Sequence, residues 1–140
     1  MIDNRKRVLF VCIGNSCRSQ MAEGFARAYG SDVVIPASAG LAPAMGIASD
    51  TKRAMLEKNI DIADQFPKAV RQLGRAYFDL AVNMSGEDLP PVAAERIVDW
   101  EVEDPISKSY ERHCEIRDEI EGKVMTLVLE LRREQRVSQG

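Results

Sequence analysis

The sequence is poor in the residues from which several kinds of site are built. Its 140 residues include one histidine, one tryptophan and three cysteines, and aromatic residues make up only 6%. One histidine without clustered partners argues against a histidine-based metal site, so we expect no metal and no cofactor. An odd number of cysteines argues against a disulfide framework and favours a reducing compartment, the cytoplasm.

Long apolar runs and blocks of like charge are missing as well. No apolar segment approaches the roughly 20 residues that a membrane span needs, and residues 1–7 lack the apolar centre of a signal peptide. The 19 basic and 22 acidic residues are dispersed along the chain and give a net charge of −3. We therefore expect neither a nucleic acid nor a membrane as a partner.

The length is that of one ordinary domain. A chain of 140 residues can bury a substantial core, and no repeat, linker or low-complexity tract divides it. We predict a single domain over residues 1–140, in which the polar tail, residues 132–140, is frayed.

One segment near the N-terminus combines a strand, a short loop and a helix. The apolar residues 8–11 predict a strand that is buried on both faces, and Cys12 ends it. Gly14 and Asn15 are the residue types that most easily adopt a positive φ in a tight loop. Beyond Ser19, apolar residues recur at helical spacing; these are Met21, Ala22, Phe25, Ala28 and Tyr29.

A loop between a buried strand and a helix can bind an anion, because its backbone N–H groups form a concave nest and the helix adds its positive end. Arg18 can hold two oxygens of a tetrahedral oxyanion. The same positive potential favours the thiolate of Cys12, to which Ser19 can donate a hydrogen bond. The candidate oxyanion-binding residues are Ile13, Gly14, Asn15, Ser16, Cys17, Arg18 and Ser19.

The run from Cys12 to Ser19, Cys-Ile-Gly-Asn-Ser-Cys-Arg-Ser, resembles the phosphate-binding loop of the low-molecular-weight protein tyrosine phosphatase superfamily. The longer run 14–24 is especially similar to the arsenate reductase (thioredoxin-type) branch of that superfamily. The resemblance continues through residues 38–40 and the pair Asp104-Pro105. It implies a four-stranded parallel sheet and a cysteine nucleophile.

The rest of the chain alternates between strand and helix patterns. Strands are predicted at 32–38, 78–84 and 95–100, and helices at 50–59, 68–76 and 109–134. Pro36 indicates that the first of these strands lies at an edge, and Ser49 or Asp50 is the expected N-cap of the helix that follows. The alternation predicts an α/β fold, a single-domain three-layer sandwich in which helices flank a four-stranded parallel sheet. Ligands bind beyond the carboxyl ends of such strands, where the Cys12 loop lies.

Asp104 is the second candidate catalytic residue. Displacement of an alkoxide or phenoxide from phosphorus requires a proton for the leaving oxygen, which a positioned carboxylic acid can supply. The resemblance implies this role for the aspartate of the Asp-Pro pair. Asp-Pro pairs also commonly begin turns, and Asp99, Glu101 and Glu103 lie nearby, so the residues by themselves leave the assignment open.

The resemblance leaves two reactions open. In reductases of the arsenate branch, further cysteines beyond the third strand take up the oxidising equivalents, whereas residues 83–91 contain no cysteine here. Cys17, Cys114 or an external thiol could substitute. Phosphatases that act on phosphotyrosine wall their cleft with aromatic rings, whereas this chain has Ile106 and Ser107 after the Asp-Pro pair.

We interpret the chain as a phosphate monoester hydrolase of the low-molecular-weight protein-tyrosine-phosphatase type. Cys12 forms a cysteinyl-phosphate, Arg18 and the loop amides stabilise the oxyanion, and Asp104 protonates the leaving group. The close alternative is arsenate reduction through an external thiol or a non-standard internal cysteine, and a further alternative is a non-catalytic oxyanion-binding module. The expected partners are phosphate, arsenate or a phosphorylated substrate, with a thiol reductant for the second reaction. His113 is expected at the surface, and Trp100 is expected to serve in packing.

Overall fold

Residues 3–139 are described by the computed structural model, and the side chain of residue 139 lies outside the description. Within that range the chain forms four strands and three α-helices. The strands are β1 (Lys6–Cys12), β2 (Val34–Gly40), β3 (Tyr77–Asn83) and β4 (Ala93–Asp99), and the helices are α1 (Arg18–Gly30), α2 (Ser49–Leu56) and α3 (Tyr110–Gln139). A short 3₁₀ helix, Val70–Leu73, precedes β3. Each predicted strand is found within two residues of its expected ends.

The four strands form one parallel sheet in the order β2-β1-β3-β4. Strand β1 lies between two neighbours, and its apolar residues Val8, Leu9, Phe10 and Val11 are fully buried, as expected for a strand covered on both faces. Strand β2 lies at an edge, where a proline without an N–H is tolerated. The predicted α/β class with a four-stranded parallel sheet is therefore confirmed.

The two faces of the sheet are covered unequally. The three α-helices cover one face, and their buried residues include Phe25, Met55 and Ile120. The other face is covered by the 3₁₀ helix and the loops around it, and Val70 is buried in the same cluster as Leu9 and Val11 of β1. Trp100 packs on the helical side as expected, with its ring centroid 6.0 Å from that of Phe10.

The strand order places all four carboxyl ends of the strands at one edge. From β1 the chain passes to β2 on one side and then to β3 on the other, so the strand order reverses at the end of β1. Cys12 is the last residue of β1 and pairs with Gly40, the last residue of β2. Asn83 and Asp99 end the other two strands as a pair. Open parallel sheets bind their ligands at such a reversal.

Helix α2 differs from its prediction at both ends. Its N-cap is Ala48, without a side-chain cap, so the expectation of Ser49 or Asp50 in that position is wrong. Asp50 lies instead within the first turn, where a negative charge is favourable near the helix N-terminus. The helix stops at Leu56, because the chain turns away and Asn59 adopts a φ of 60°. The predicted range of 50–59 therefore extends too far.

The segment 68–76 contains a single 3₁₀ turn instead of the predicted helix. Ala69 forms a parallel bridge with Gly40, and this extended pairing excludes helical backbone at that position. At the other end Gly74 adopts a φ of 61°, which breaks a right-handed helix. The two constraints together leave room for one turn.

Helix α3 continues to Gln139, so the prediction of a frayed tail is wrong for residues 132–139, while residue 140 lies outside the described residues. Arg132, the first residue of this tail, is held by hydrogen bonds. Its guanidinium donates to both carboxylate oxygens of Asp32, at 2.8 and 2.9 Å, and to the carbonyl oxygen of Tyr29 at 2.6 Å. These bonds tie the end of α3 to the C-terminus of α1, where carbonyl groups lack intrahelical partners. Neither α3 nor any other helix in residues 3–139 is both long and apolar enough to cross a membrane.

Candidate active site: a cysteine in an oxyanion-binding loop

The carbonyl oxygens and the N–H groups of the loop between β1 and α1 differ in their hydrogen bonding. The carbonyl oxygens of residues 12–14 and 16 accept hydrogen bonds from backbone N–H groups of residues 41–48, at distances of 2.8–3.2 Å. The carbonyl oxygen of Asn15 accepts a bond from Gln20 Nε2 at 3.0 Å. For the N–H groups of residues 13–17, the part of the chain from 3 to 139 provides no acceptor. Consecutive N–H donors without protein acceptors form a nest that suits an anion.

Gly40 allows the end of β2 to approach this loop closely. A Cβ atom at Gly40 would lie 2.6 Å from the carbonyl oxygen of Ile13 and 2.9 Å from the backbone nitrogen of Asn15. Backbone atoms cannot rotate away as a side chain can, so any other residue at this position would displace the loop. The glycine in the sequence Ser-Ala-Gly, which formed part of the family resemblance, therefore has a steric reason.

A chain of three hydrogen bonds orients the Cys12 thiol. The backbone N–H of Lys68 donates to Asn15 Oδ1 at 3.0 Å, which fixes the orientation of the Asn15 amide. Asn15 Nδ2 then donates to Ser19 Oγ at 2.6 Å. Because Ser19 Oγ accepts that bond, its proton is free for Cys12 Sγ, 2.8 Å away. A hydroxyl that donates to the sulfur stabilises the thiolate, and all three side chains are buried.

Asn15 is also the residue at which the loop takes its left-handed turn, with a φ of 49°. The sequence indicated Gly14 and Asn15 as the residue types suited to such a conformation, and Asn15 is the one that adopts it. Asparagine tolerates this region better than most residues with a Cβ atom. The same residue thus shapes the backbone and aligns Ser19.

Arg18 begins α1 and links the loop to the ends of two other strands. Its side chain is 6% exposed, and Nη1 donates to the carbonyl oxygens of Met84 at 2.6 Å and Val102 at 2.9 Å. Met84 directly follows β3, and Val102 lies shortly after β4. Nη2 lies 3.5 Å from Asp104 Oδ2. The guanidinium is therefore anchored through one nitrogen, while the other faces the Asp104 carboxylate.

Asp104 lies at the mouth of the site, with its side chain 43% exposed. Its Oδ1 accepts a hydrogen bond from the backbone N–H of Ile106 at 3.0 Å. Glu103 faces away and binds Arg112 of α3 at 3.0 and 3.1 Å. Of the neighbouring acidic residues considered from the sequence, Asp104 is the one that contacts Arg18.

The other two cysteines lie in different surroundings. Cys17, the N-cap residue of α1, is 3% exposed, and burial raises the pKa of its thiol. The nearby hydroxyl groups of Thr51 and Ser16 lower that pKa, and Ser16 Oγ lies 3.7 Å from the sulfur. Cys114 is partly exposed on α3, and its sulfur lies 3.7 Å from a carboxylate oxygen of Glu57. Cys17 thus belongs to the loop of Cys12, whereas Cys114 contacts the end of α2.

His113 is buried, so the expectation of a surface position is wrong. It lies on the inner face of α3, and its Nε2 is 2.9 Å from Oγ1 of Thr51 in α2. Burial lowers the pKa of His113, although the carboxylates of Asp50 and Asp104 raise it. Its spacing of three residues before the buried Ile116 was the signal that could have placed it inward.

Sequence reasoning missed the residues that hold the loop from outside. Gln20 Nε2 donates to the carbonyl oxygens of Asn15 and Phe66, both at 3.0 Å, and the backbone N–H of Lys68 donates to Asn15 Oδ1 as described above. Lys68 and Phe66 come from a segment far along the chain, and no local pattern marks them. Within residues 3–139, no group of three or more histidine, cysteine or acidic residues is arranged to hold a metal ion.

Comparisons with known proteins agree on the family. Residues 7–137 match the family model described as low molecular weight phosphotyrosine protein phosphatase. A glutaredoxin arsenate reductase of Synechocystis sp. is 35% identical over 131 residues, which cover 90% of this chain and 98% of that protein. Arsenate reductase 1 of Bacillus cereus is 34% identical over 127 residues, which cover 88% and 94%. A solved structure described as an arsenate reductase in the phosphate binding state has a TM-score of 0.83 at 34% identity, covering 90% and 98%.

These findings confirm the expected resemblance, its arsenate reductase branch included, and the expectation of a cysteine-dependent enzyme. The matched range includes the loop of Cys12 and the segment of Asp104. The chain belongs to the low-molecular-weight phosphotyrosine protein phosphatase family.

Proposed function

We propose that this enzyme reduces arsenate to arsenite, with Cys12 as the nucleophile and a thiol as the electron source. The observation that carries the proposal is an oxyanion loop without an aromatic wall: the segments at its border, residues 41–48 and 105–109, contain no aromatic residue. Such a border suits an inorganic oxyanion better than an aryl ester, which gains from ring contacts. The relatives named as arsenate reductases support the same choice. The order of the two reactions inferred from the sequence is thereby reversed.

In the first step the N–H groups of residues 13–17 and the guanidinium of Arg18 bind arsenate. The Cys12 thiolate, stabilised by Ser19, attacks arsenic. One arsenate oxygen leaves as water after Asp104 supplies a proton. The product is an adduct in which the Cys12 sulfur is bonded to As(V).

In the second step another thiolate attacks the sulfur of Cys12. The sulfur–arsenic bond breaks, and its electron pair stays with arsenic, which leaves as As(III) in arsenite. The two thiols become a disulfide, so the two electrons gained by arsenic are balanced. A thiol reductant then restores Cys12 by exchange. A reducing compartment, the cytoplasm, fits the proposal because Cys12 must be a thiol before each turnover.

Phosphate monoester hydrolysis is the second candidate, and the position of Asp104 favours it. The carboxyl group is partly exposed beside Arg18, where it can reach the leaving oxygen of an ester. Cys12 would then attack phosphorus, Asp104 would protonate the alcohol, and water would hydrolyse the cysteinyl-phosphate. Residues 83–91, which contain no cysteine, are compatible with this reaction as they stand.

The deciding experiment supplies the reduced protein with arsenate and measures arsenite. Separate reactions contain glutathione with glutaredoxin, or thioredoxin with its reductase. We expect arsenite with at least one reductant, and we expect Cys12→Ser to lose about 10⁴-fold or more of the activity. Cys114→Ser, outside the loop, is the matched control and should retain it. Steady Cys12-dependent hydrolysis of p-nitrophenyl phosphate, without arsenite from either reductant, would leave phosphate ester hydrolysis as the function.

A further inference from the structure

Lys68 lies behind the oxyanion-binding loop and contacts two neighbouring segments with its backbone and its side chain. Its backbone N–H donates to Asn15 Oδ1 at 3.0 Å, and its carbonyl oxygen accepts the N–H of Gly40 at 2.8 Å. Its Nζ donates to the carbonyl oxygen of Ser38 at 3.0 Å and to that of Phe66 at 3.1 Å. One residue therefore joins the loop to the end of β2.

The side chain of Lys68 completes the outer edge of β2. This strand has β1 on one side only, so the backbone groups on its other side need partners from elsewhere. The Lys68 carbonyl oxygen accepts the N–H of Gly40, while Nζ donates to the carbonyl oxygen of Ser38. Because hydrogen bonds from a charged donor are stronger than those from a neutral one, the ammonium group holds residues 66–68 against β2.

The groups around Lys68 Nζ favour a cation. Burial lowers the pKa of Lys68, the carboxylate of Glu23 raises it, and Arg27 lowers it further. Glu23 is 6% exposed, and its other contacts are Ser38 Oγ and Arg27. The centroid of the Phe66 ring lies 4.6 Å from Nζ, within the range of a cation–π contact. The ammonium group thus has a defined position instead of that of a solvated surface lysine.

The backbone N–H of Lys68 determines which way the Asn15 amide faces. A rotation of that amide by 180° would exchange its oxygen and its NH₂ group. In the observed orientation Oδ1 accepts the Lys68 N–H, and Nδ2 donates to Ser19 Oγ at 2.6 Å. In the reverse orientation two donors would face each other, and Oδ1 would accept the Ser19 proton. That proton would then be lost to Cys12 Sγ, which lies 2.8 Å from Ser19 Oγ.

We propose that Lys68 is a positioning residue for the Cys12 nucleophile. Its ammonium group holds residues 66–68 at the edge of β2, and the N–H of Lys68 orients Asn15 and, through it, the hydroxyl of Ser19. The use of this arrangement in catalysis rests on the proposed function, in which Cys12 attacks the oxyanion. A charged side chain outside the loop thus controls the reactivity of Cys12 without contacting the sulfur.

The test measures the reactivity of Cys12 without arsenate and without turnover. All variants carry Cys114→Ser, and alkylation by iodoacetamide is followed by tandem mass spectrometry, which separates Cys12 from Cys17. Lys68→Met removes the charge but keeps the backbone N–H and an unbranched side chain. Lys52→Met, at an exposed position of α2, is the matched control. Calorimetry measures the binding of inorganic phosphate to each variant.

We expect Lys68→Met to slow the alkylation of Cys12 about fivefold at pH 7. Its affinity for phosphate should stay within about twofold of the parent, because the N–H groups of residues 13–17 and Arg18 remain. Lys52→Met should match the parent in both measurements. A lysine with only a structural role would lower the alkylation rate and the phosphate affinity together, because a displaced loop binds the anion poorly.

Two further variants test the route through Asn15 and the need for the ammonium group. Asn15→Gly removes the amide that Lys68 orients, so the addition of Lys68→Met should slow alkylation by less than about 1.5-fold further. In Lys68→Ala, n-propylammonium chloride should restore at least about half of the alkylation rate, since its ammonium group can replace Nζ. Tetramethylammonium chloride has no N–H donor and should not restore it. If circular dichroism shows that Lys68→Met does not fold, Lys68→Ala with and without n-propylammonium carries the comparison.

A parental alkylation rate in Lys68→Met would overturn the proposal, and so would a full additional slowing in the Asn15→Gly background. Equal losses of alkylation rate and phosphate affinity would also overturn it. The outcome is separable from that of the proposed function. If Lys68→Met slows alkylation through Asn15 but the parent yields no arsenite with any reductant, the positioning role stands and arsenate falls as the substrate. Arsenite formation by the parent, with parental alkylation in Lys68→Met, would show the reverse.

Discussion

Cys12 and Cys17 lie in the same loop but in different surroundings. The network of Cys12 consists mainly of neighbours in sequence, Asn15 and Ser19, and it directs a proton towards the sulfur. Cys17 is buried at the start of α1, where its sulfur lies 3.7 Å from Ser16 Oγ and burial raises the pKa of its thiol. The Cys12 sulfur is thus hydrogen bonded within its own loop, whereas the Cys17 thiol is governed by its burial in the folded protein.

Loss of the Asn15 side chain should break the Cys12 network and have the largest effect. Asn15→Ala leaves the Lys68 N–H without its acceptor, which costs about 1–3 kcal/mol for an unsatisfied group, and it removes the donor that orients Ser19 Oγ towards Cys12. The alkylation of Cys12 by iodoacetamide should slow about tenfold, because Ser19 is no longer aligned. Urea unfolding and peptide mapping measure the two effects.

Asn15→Gly is the matched control, because glycine accepts the φ of 49° without strain. Asn15→Gly should be more stable than Asn15→Ala, but its Cys12 should be alkylated as slowly as in Asn15→Ala. A parental alkylation rate in the glycine variant would show that backbone shape, and not the hydrogen-bond chain, controls Cys12.

Gly40→Ala should disturb the loop without removing a hydrogen-bonding group. The added Cβ would meet backbone atoms of Ile13 and Asn15 at 2.6 and 2.9 Å, so we expect a loss of about 1–3 kcal/mol and weaker binding of inorganic phosphate. Gly46→Ala is the control, since a Cβ there meets nothing within 4 Å. Equal phosphate affinity in both variants, measured by calorimetry, would contradict the steric role of Gly40.

Replacement of His113 by glutamine, which keeps a polar group near Thr51, should have the smallest effect, and this effect should include a change in how stability depends on pH. Burial lowers the pKa of His113, so below about pH 6.5 the unfolded chain binds a proton that the folded chain does not. Stability in the wild type therefore falls as pH decreases from about 7 towards the lowered pKa. His113→Gln should lack this contribution, a difference of about 2 °C in Tm across that range. If Tm changes with pH in the same way in the wild type and in His113→Gln, burial does not keep the His113 ring neutral.

Much of the site follows from local sequence, and the rest follows from contacts between distant segments. The buried strand, Cys12 and Arg18 are readable because the strand, the tight loop and the helix follow one another within a few residues. The sequence could not separate Asp104 from its acidic neighbours, since the contact with Arg18 depends on how the chain leaves β4. The helical spacing of His113 to Ile116 could have placed it inward, but its partner Thr51 lies on another helix and only the fold brings the two together.

The same division holds for the fold. Apolar runs and their alternation with helical patterns determined the class of the protein and the position of the site, because burial of apolar side chains depends on periodicity that local sequence carries. Only the tertiary structure decided that residues 68–76 form one 3₁₀ turn, that Arg132 of α3 binds Asp32 and Tyr29, and that His113 meets Thr51. These features depend on groups far apart in the chain, which meet only once the sheet has brought the carboxyl ends of its strands to one edge.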